Sequence, residues 1–451
     1  MKVGDMKFSE NEIVTATKGN LVYSNNTREK VCLSTDSRSI KENELYIPIK
    51  GENFNGHDFI KSALENGCSG FIIESSELYR LKDLPQKGFA IEVKNTKEAY
   101  LALGEYYKNL IKPIVIGITG SSGKTTTKEM IAKVLEAKYK IHKTKLNHNN
   151  EIGMAQTMLE MKEDTEVLIL EMGMRAKGEI ELLSKYASPD LAVITNIGLA
   201  HIGLLGSQKE IAKAKCEIIK HLHPEGWLIA CDSPFLEKYA TNCNKICYSL
   251  GSPQLKNIKK NSNFTAFEYK KHPFELNVTG DYNILNALCA IEIGQKLGLS
   301  NNQIAEQLKK YEPLDDRGKT IQINNLNFIT DYYNANPESM KASILSALES
   351  YNPIGLVLGD MGELGKQAVT LHKEIGELLQ NKNISHLITI GKLSKYISKN
   401  SQIENARHFK TTDKAIKYLR KIKEPCTLLL KASRSMKFEE IIEQLKGQPA
   451  K

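Results

Sequence analysis

The stretch Ile114-Val-Ile-Gly-Ile-Thr-Gly-Ser-Ser-Gly-Lys-Thr-Thr-Thr127 decides the fold. Its first five residues are short-run, apolar and rich in β-branched side chains, as a strand buried on both faces requires. A glycine- and serine-rich turn follows, and then a run that predicts a helix from about Thr125 to Lys138. Strand, glycine turn and helix is the setting in which backbone N–H groups and a helix N-terminus close around phosphate oxygens. In that setting Lys124 can reach the outer phosphates, and the Thr125 hydroxyl can bind Mg²⁺. The candidate nucleotide loop is therefore Thr119, Gly120, Ser121, Ser122, Gly123, Lys124, Thr125 and Thr126. Its spacing is Gly120-x-x-Gly123-Lys-Thr, with Ile118 where a strict Walker A loop has its first glycine. The loop by itself specifies a nucleotide and leaves the reaction open.

Outward from this stretch, apolar strands alternate with helical periodicities. A helix is predicted from Thr96 to Leu110 upstream, with strands ending at Glu171 and Asn196 and a helix from Tyr282 to Leu297 downstream. Such alternation indicates a parallel sheet. Residues before about 94 mix short apolar runs (Leu45–Ile49, Gly70–Glu74) with the turn-rich Gly51–His57. The polar stretch Glu312–Gly318 reads as a junction, and a third alternation follows. It comprises strands Phe328–Asp331, Ile354–Gly359, Leu387–Ile390 and Thr427–Leu430, with helices Pro337–Leu348, Lys366–Leu379 and Lys437–Leu445. The expected fold is α/β in three units: a small N-terminal α/β domain (1–93), a central P-loop parallel-sheet domain (94–313) and a C-terminal Rossmann-like domain (314–451).

Composition narrows the class. At 451 residues the chain is too long for one ordinary core, and 41% hydrophobic with 25% charged residues is a globular balance. The start, MKVGDMKFSE, has no apolar signal region. The apolar runs are strand-length, short of the roughly 20 residues of a membrane span. A cytoplasmic monomer is expected. Eight cysteines are too thinly spread for a disulfide framework, and Cys243 and Cys247 lack a second Cys or His pair at finger spacing. The net charge of +9 comes from scattered lysines with no aromatic-interleaved basic run. This argues against nucleic acid and for anionic nucleotide substrates.

The variant loop resembles the ATP loop of the Mur ligases and folylpolyglutamate synthetases. Further segments resemble that group in order: Asn147–Gly153, Leu170–Gly173, Asn196–His201, Ala212–Glu217, Asp281–Ala287, Asp331–Pro337, Leu358–Gly365 and Lys431–Ser435. On these the chain is identified as a member of the Mur ligase family. Tyr333-Asn-Ala-Asn-Pro337, Gly359-Asp-Met-Gly-Glu-Leu-Gly365 and Lys431-Ala-Ser-Arg-Ser435 look like the branch that adds D-alanyl-D-alanine. The relative that adds diaminopimelate or lysine carries His-Thr-Pro where this chain has Asn334-Ala-Asn-Pro337. Tyr332 and Ala432 depart from the pattern, which has a small residue and a glycine there.

The resemblance implies a reaction and a set of residues. ATP phosphorylates the terminal carboxylate of UDP-N-acetylmuramoyl-tripeptide, the amine of D-Ala-D-Ala attacks the acyl phosphate, and ADP and phosphate leave. Lys124, Glu171, His201 and Lys215 are the implied catalytic residues, with Thr125, Glu171, His201 and Lys215 around Mg²⁺. Lys215, rather than Lys213, is the lysine that the family carbamylates. Asn283, Asn286, Arg317, Asp331, Asn334 and Asn336 complete the ATP contacts. Ser37 and Arg38 (uridine nucleotide), Thr144, Asn147, Asn149 and Asn150 (sugar and peptide), and Lys431, Ser433 and Arg434 (a substrate carboxylate) are the implied substrate contacts. The competing expectations are another amide ligase on the same scaffold and a P-loop regulator or nucleic-acid-dependent ATPase.

Overall fold

The computed structural model describes residues 2–25, 30–51, 53–262, 264–314 and 317–447. Glu52 of the Gly51–His57 turn and Asp315 and Asp316 of the polar junction lie outside the described residues. The strands of the described residues form four sheets. In the first, Val31–Ser34, Glu44–Tyr46, Gly70–Glu74 and Phe89–Val93 run parallel, and Lys2–Phe8 and Asn20–Ser24 pair antiparallel at the two edges.

The second sheet is wholly parallel, in the order Asn244–Tyr248, Trp227–Cys231, Leu191–Ile194, Ile114–Thr119, Val167–Glu171, Ile141–Lys143. Successive side chains of a strand leave by opposite faces, and here each face meets helices. Val115, Leu168, Leu170 and Ala192 pack with Leu101 and Met158 of helices Thr96–Ile111 and Glu151–Leu159. Ile116, Ile118, Val167 and Ile169 pack with Met130, Ile131 and Ala287 of helices Lys124–Leu135 and Asp281–Lys296. Helices on both faces explain why these strands read as continuous apolar runs. They also leave the C-terminal strand ends, at Thr119, Glu171 and Ile194, as the open edge where ligands bind.

A three-stranded antiparallel sheet, Leu255–Lys260, Thr265–Tyr269 and His272–Leu276, was not expected from the sequence. Its first strand buries only Leu255, so no apolar run announces it. Phe267, Tyr269, Phe274 and Leu276 join the core under helix Asp281–Lys296. The segment after Ser207 is an α-helix, Gln208–Cys216, finished by a 3₁₀ turn, Glu217–His221.

The fourth sheet has the order Lys319–Ile323, Leu326–Thr330, Cys426–Lys431, Ile354–Gly359, Ile384–Ile390, Ala406–Phe409, parallel except for the antiparallel first hairpin. Helix Pro337–Ser350 starts with Asn336 as N-cap in a capping box with Ser339, and Pro337 takes the first turn, where its missing N–H costs nothing. Among the described residues no helix is long and apolar enough to cross a membrane.

Leu168 is fully buried, whereas Leu21 on the edge strand is 47% exposed. Leu168→Ala is expected to lower unfolding free energy by about 2–5 kcal/mol, and Leu21→Ala by at most about 0.5 kcal/mol, in urea titrations. Equal losses would show that the strands of the central sheet are not covered on both faces.

Candidate active site

Two glycines shape the nucleotide loop. Gly120 sits at φ +154°, where a Cβ would fall 1.8 Å from Thr195 Oγ1. Gly123, at φ +77°, is the N-cap of helix Lys124–Leu135, and a Cβ there would approach Asn286 Oδ1 at 2.8 Å. Left-handed backbone and close neighbours both demand glycine. The serines between them are held from the neighbouring strand end. Ser121 and Ser122 N–H both donate to Asn196 Oδ1, at 3.0 and 2.9 Å, and Thr195 Oγ1 donates to the Ser122 carbonyl at 2.6 Å. Asn196 was not among the expected site residues; its place at a predicted strand end was the available signal.

Lys124 Nζ donates to the Gly120 carbonyl at 2.8 Å, folded back along the loop. Burial lowers its pKa, Glu171 opposes that shift, and Arg317 adds to it. Arg317 is thus within electrostatic reach of the loop although the sequence separates the two widely. Thr125 Oγ1 donates to Glu171 Oε2 at 2.9 Å, and Asn149 Nδ2 donates to Glu171 Oε1 at 3.0 Å. A buried hydroxyl and carboxylate side by side at a phosphate loop are hard oxygen donors. Mg²⁺ takes one or two protein carboxylates and completes its shell with phosphate and water. Among the described residues no group of three or more His, Cys, Asp or Glu gathers as a metal cluster.

Helix Gln208–Cys216 separates its two lysines. Lys213 is solvated and paired with Glu210 at 2.9 Å. Lys215 is 1% exposed, and its pKa is pushed well below the ordinary value by burial and then by Lys124. His201, at φ +66°, has Nδ1 2.5 Å from Glu363 Oε2 of the C-terminal unit, without hydrogen-bond alignment. That contact occupies Nδ1 and leaves Nε2 as the ring nitrogen for any metal.

Asn283 and Asn286 share a helix face but do different work. Asn283 lines a cleft between the central and C-terminal sheets with Thr279, Tyr282, Arg317, Asp331 and Ser346. Asn286, an expected ATP contact, has its Oδ1 accepting from Thr127 Oγ1 at 3.0 Å, close under Gly123. From the other side of the seam, Asn336 Nδ2 donates to the Ser121 carbonyl at 3.0 Å. Glu338 Oε1 accepts the Leu199 N–H at 2.8 Å. Asn334 is exposed and accepts from the next residue's N–H.

Two expected substrate contacts are committed internally. Thr144 is 1% exposed; its hydroxyl accepts the Glu171 N–H at 3.0 Å, satisfying a strand end. Lys431 is buried and donates to Asp331 Oδ2 at 2.7 Å and to the Asp331 and Asn334 carbonyls at 3.3 Å each, so its three N–H groups are taken. It fastens the Asp331–Asn334 turn. The remaining candidates are more open. Asn147 is exposed, and Asn150 caps helix Glu151–Leu159 through the Gly153 N–H. Ser433 Oγ meets Ser435 Oγ at 3.1 Å. Arg434 lies 3.2 Å from Glu439 and 5.7 Å from the Tyr333 ring, whose centroid the Arg317 guanidinium approaches at 3.9 Å. Tyr333, between two arginines, was not singled out from the sequence. In the N-terminal unit Ser37 is buried, with its carbonyl held by Asn66 Nδ2, and exposed Arg38 forks onto Asp36 with two contacts of 2.9 Å. His57 is structural: its Nε2 accepts the Glu74 N–H at 3.1 Å, and burial lowers its pKa.

Three family descriptions match the chain: Mur ligase family, catalytic domain, over residues 31–105; Mur ligase middle domain over 118–294; and Mur ligase, glutamate ligase domain, over 316–434. The UDP-N-acetylmuramoyl-tripeptide–D-alanyl-D-alanine ligase of Bacillus subtilis is 39% identical over 453 residues, covering 97% of each chain. The Escherichia coli protein of the same name is 30% identical over 92% of this chain and 93% of its own. Among solved structures, MurF from Acinetobacter baumannii superposes with a TM-score of 0.90 at 27% identity, covering 98% of this chain and 99% of that one. MurF from Thermotoga maritima in complex with ADP superposes at 0.83, also with 27% identity, over 92% and 97%. With three matched domains in order and a relative of this identity over nearly its whole length, the chain belongs to the Mur ligase family.

Proposed function

We propose that this chain is the ATP-dependent, ADP-forming ligase that joins D-Ala-D-Ala to UDP-N-acetylmuramoyl-tripeptide in peptidoglycan precursor synthesis. The observation that carries this reading is the meeting at one seam of the glycine loop, the Thr125–Glu171 oxygen pair and the C-terminal Asn336. It is supported by the names of the full-length relatives.

The first chemical step brings two anions together, the ATP γ-phosphate and the precursor carboxylate, so the protein's main task is to neutralise and position charge. Lys124 sits one side chain from the loop and serves the outer phosphates. Thr125 and Glu171 are the residues that would hold Mg²⁺, with His201 Nε2 and Lys215 near a second position. Bound Mg²⁺ would draw phosphate and carboxylate charge together. Asn283, Arg317 and Asp331 line the nucleotide cleft, and Asn336 closes over the loop from the C-terminal unit. Asn147, Asn149 and Asn150 serve the precursor's sugar and peptide, Ser37 and Arg38 its uridine nucleotide, and Arg434 with Ser433 the dipeptide carboxylate. Arg is suited to that by its fork of donors. The units 1–93, 94–313 and 314–451 thus take the precursor nucleotide, ATP and the incoming dipeptide in turn. Lys215 carries a carbamate: burial and Lys124 keep its amine neutral enough to react with CO₂, and an anion facing Lys124 replaces a repulsion with an attraction.

With purified precursor, D-Ala-D-Ala and Mg·ATP, phosphate release is expected only when all components are present. Steady turnover without the dipeptide, or with glutamate in its place, would refute the assignment.

Lys124→Ala is expected to keep the fold and lose turnover by about 10²-fold or more. A variant retaining a tenth of wild-type activity or more removes the role given to this lysine.

Lys215→Ala should be inactive and partly rescued by a short carboxylate in solution, whereas Lys213→Ala should remain active because its side chain is solvated beside Glu210. If Lys213→Ala proves the more damaged of the two, the carbamate is on the wrong lysine.

A further inference from the structure

One ammonium group near the site is used by none of the steps above. Lys128 lies one helical turn beyond Lys124 and faces the same way. Only 1% of its surface is exposed. Its Nζ donates to the Thr144 carbonyl at 2.6 Å and lies 3.3 Å from Glu129 Oε1 and 3.9 Å from Glu171 Oε2. Taking an ammonium wholly out of water is costly unless its partners compensate. An apolar side chain such as methionine would fill the same space without that cost, so the head group is what this place requires.

The partners belong to different parts of the site. Glu171 ends a core strand and bonds to Thr125. Thr144 opens the segment that runs through Asn147, Asn149 and Asn150 into the next helix. The same segment is tied to Glu171 twice more, through Thr144 Oγ1 and Asn149 Nδ2. Lys143 and Glu129 form a second brace between the same helix and strand edge. Lys128 is a buried cation where the nucleotide helix, the Glu171 carboxylate and this segment converge.

We infer that Lys128 is a positioning residue that sets the precursor-facing segment Thr144–Asn150 against the nucleotide-side carboxylate, so that precursor affinity depends on a group buried behind the ATP site. The inference rests on the function proposed above. Lys128 does not meet the reacting atoms. Its removal should also leave Glu171 more attractive to a divalent cation, because a like charge within 4 Å has gone. The two effects have opposite signs.

The test compares Lys128→Met, Lys128→Arg and Asn147→Ala with the wild type by calorimetry. Precursor affinity and the Mg²⁺ midpoint for ADP binding are measured separately, after thermal melts show folded protein. Lys128→Met is expected to weaken precursor binding by about tenfold or more while moving the Mg²⁺ midpoint to lower concentration, with KM rising more than kcat falls. Lys128→Arg, which keeps the charge but moves the donors, should fall between. Should Lys128→Met fail to fold, Lys128→Arg decides, and wild-type precursor affinity in that variant overturns the inference. A folded Lys128→Met with unchanged precursor affinity also overturns it, and so does one that weakens precursor and Mg²⁺ alike, the mark of general loosening. If Asn147→Ala weakens precursor binding and Lys128→Met does not, this inference alone fails. If neither does, the placing of the segment against the precursor fails with it.

Discussion

The Glu171 carboxylate accepts from Thr125 Oγ1 at 2.9 Å and from Asn149 Nδ2 at 3.0 Å, while its own N–H is held by Thr144 Oγ1. Glu171 and Thr125 are buried, and there an unpaired polar group is expensive and a paired one correspondingly directional. Through them a core strand, the first turn of the nucleotide helix and the segment 144–150 share one geometry. The rest of the site is arranged around that fixed point. The glycine loop precedes it, Asn196 buttresses the loop from the next strand, and Asn286 of the facing helix holds Thr127 in the first turn after the loop.

The second organising feature is the seam between the central and C-terminal sheets. Asn336 on Ser121, Glu338 on Leu199 and Glu363 on both His201 and the Gly203 N–H cross it within a few residues of the loop. Glu338 keeps one buried oxygen without a hydrogen-bond partner among the described residues, and burial raises its pKa. Apolar packing joins the same seam, with Ile197 and Ile202 in one core with Met340, Met361 and Leu364. The nucleotide cleft takes its walls from both sides of this seam, and sites of that kind commonly close on their ligands.

Much of this was legible in the sequence because strong local signals coincided with it. The parallel central sheet announced itself through Ile114–Ile118 and Val167–Leu170, since strands covered on both faces must be apolar throughout. The strand Ile354–Gly359 was placed to the residue for the same reason. The sheet of Leu255–Leu276 was missed because Leu255-Lys-Asn-Ile-Lys-Lys260 presents almost everything to water. Site residues were harder to place than elements. Thr144 and Lys431 belong to recognisable motifs, yet motif membership does not reveal which way a side chain turns. Burial settled that: Thr144 closes a strand end and Lys431 fastens the Asp331 turn. Pairings across the seam, such as Ser121 with Asn336, join residues more than two hundred positions apart and leave no local pattern.

The order of strands in the C-terminal sheet bears on how the molecule is made. Cys426–Lys431 lies between Leu326–Thr330 and Ile354–Gly359, so the sheet's centre comes from the latest of its strands to be synthesised. Until that segment leaves the ribosome, Leu326–Thr330 and Ile354–Gly359 each present an unpaired edge, and Asp331 lacks the ammonium of Lys431. The central sheet has no such gap, because the strands that follow Ile114–Thr119 close it from both sides well before. During vectorial synthesis the nucleotide loop and its supports can reach their final arrangement while the C-terminal sheet is still open. That interval is when the nascent chain is most in need of protection from edge-to-edge association.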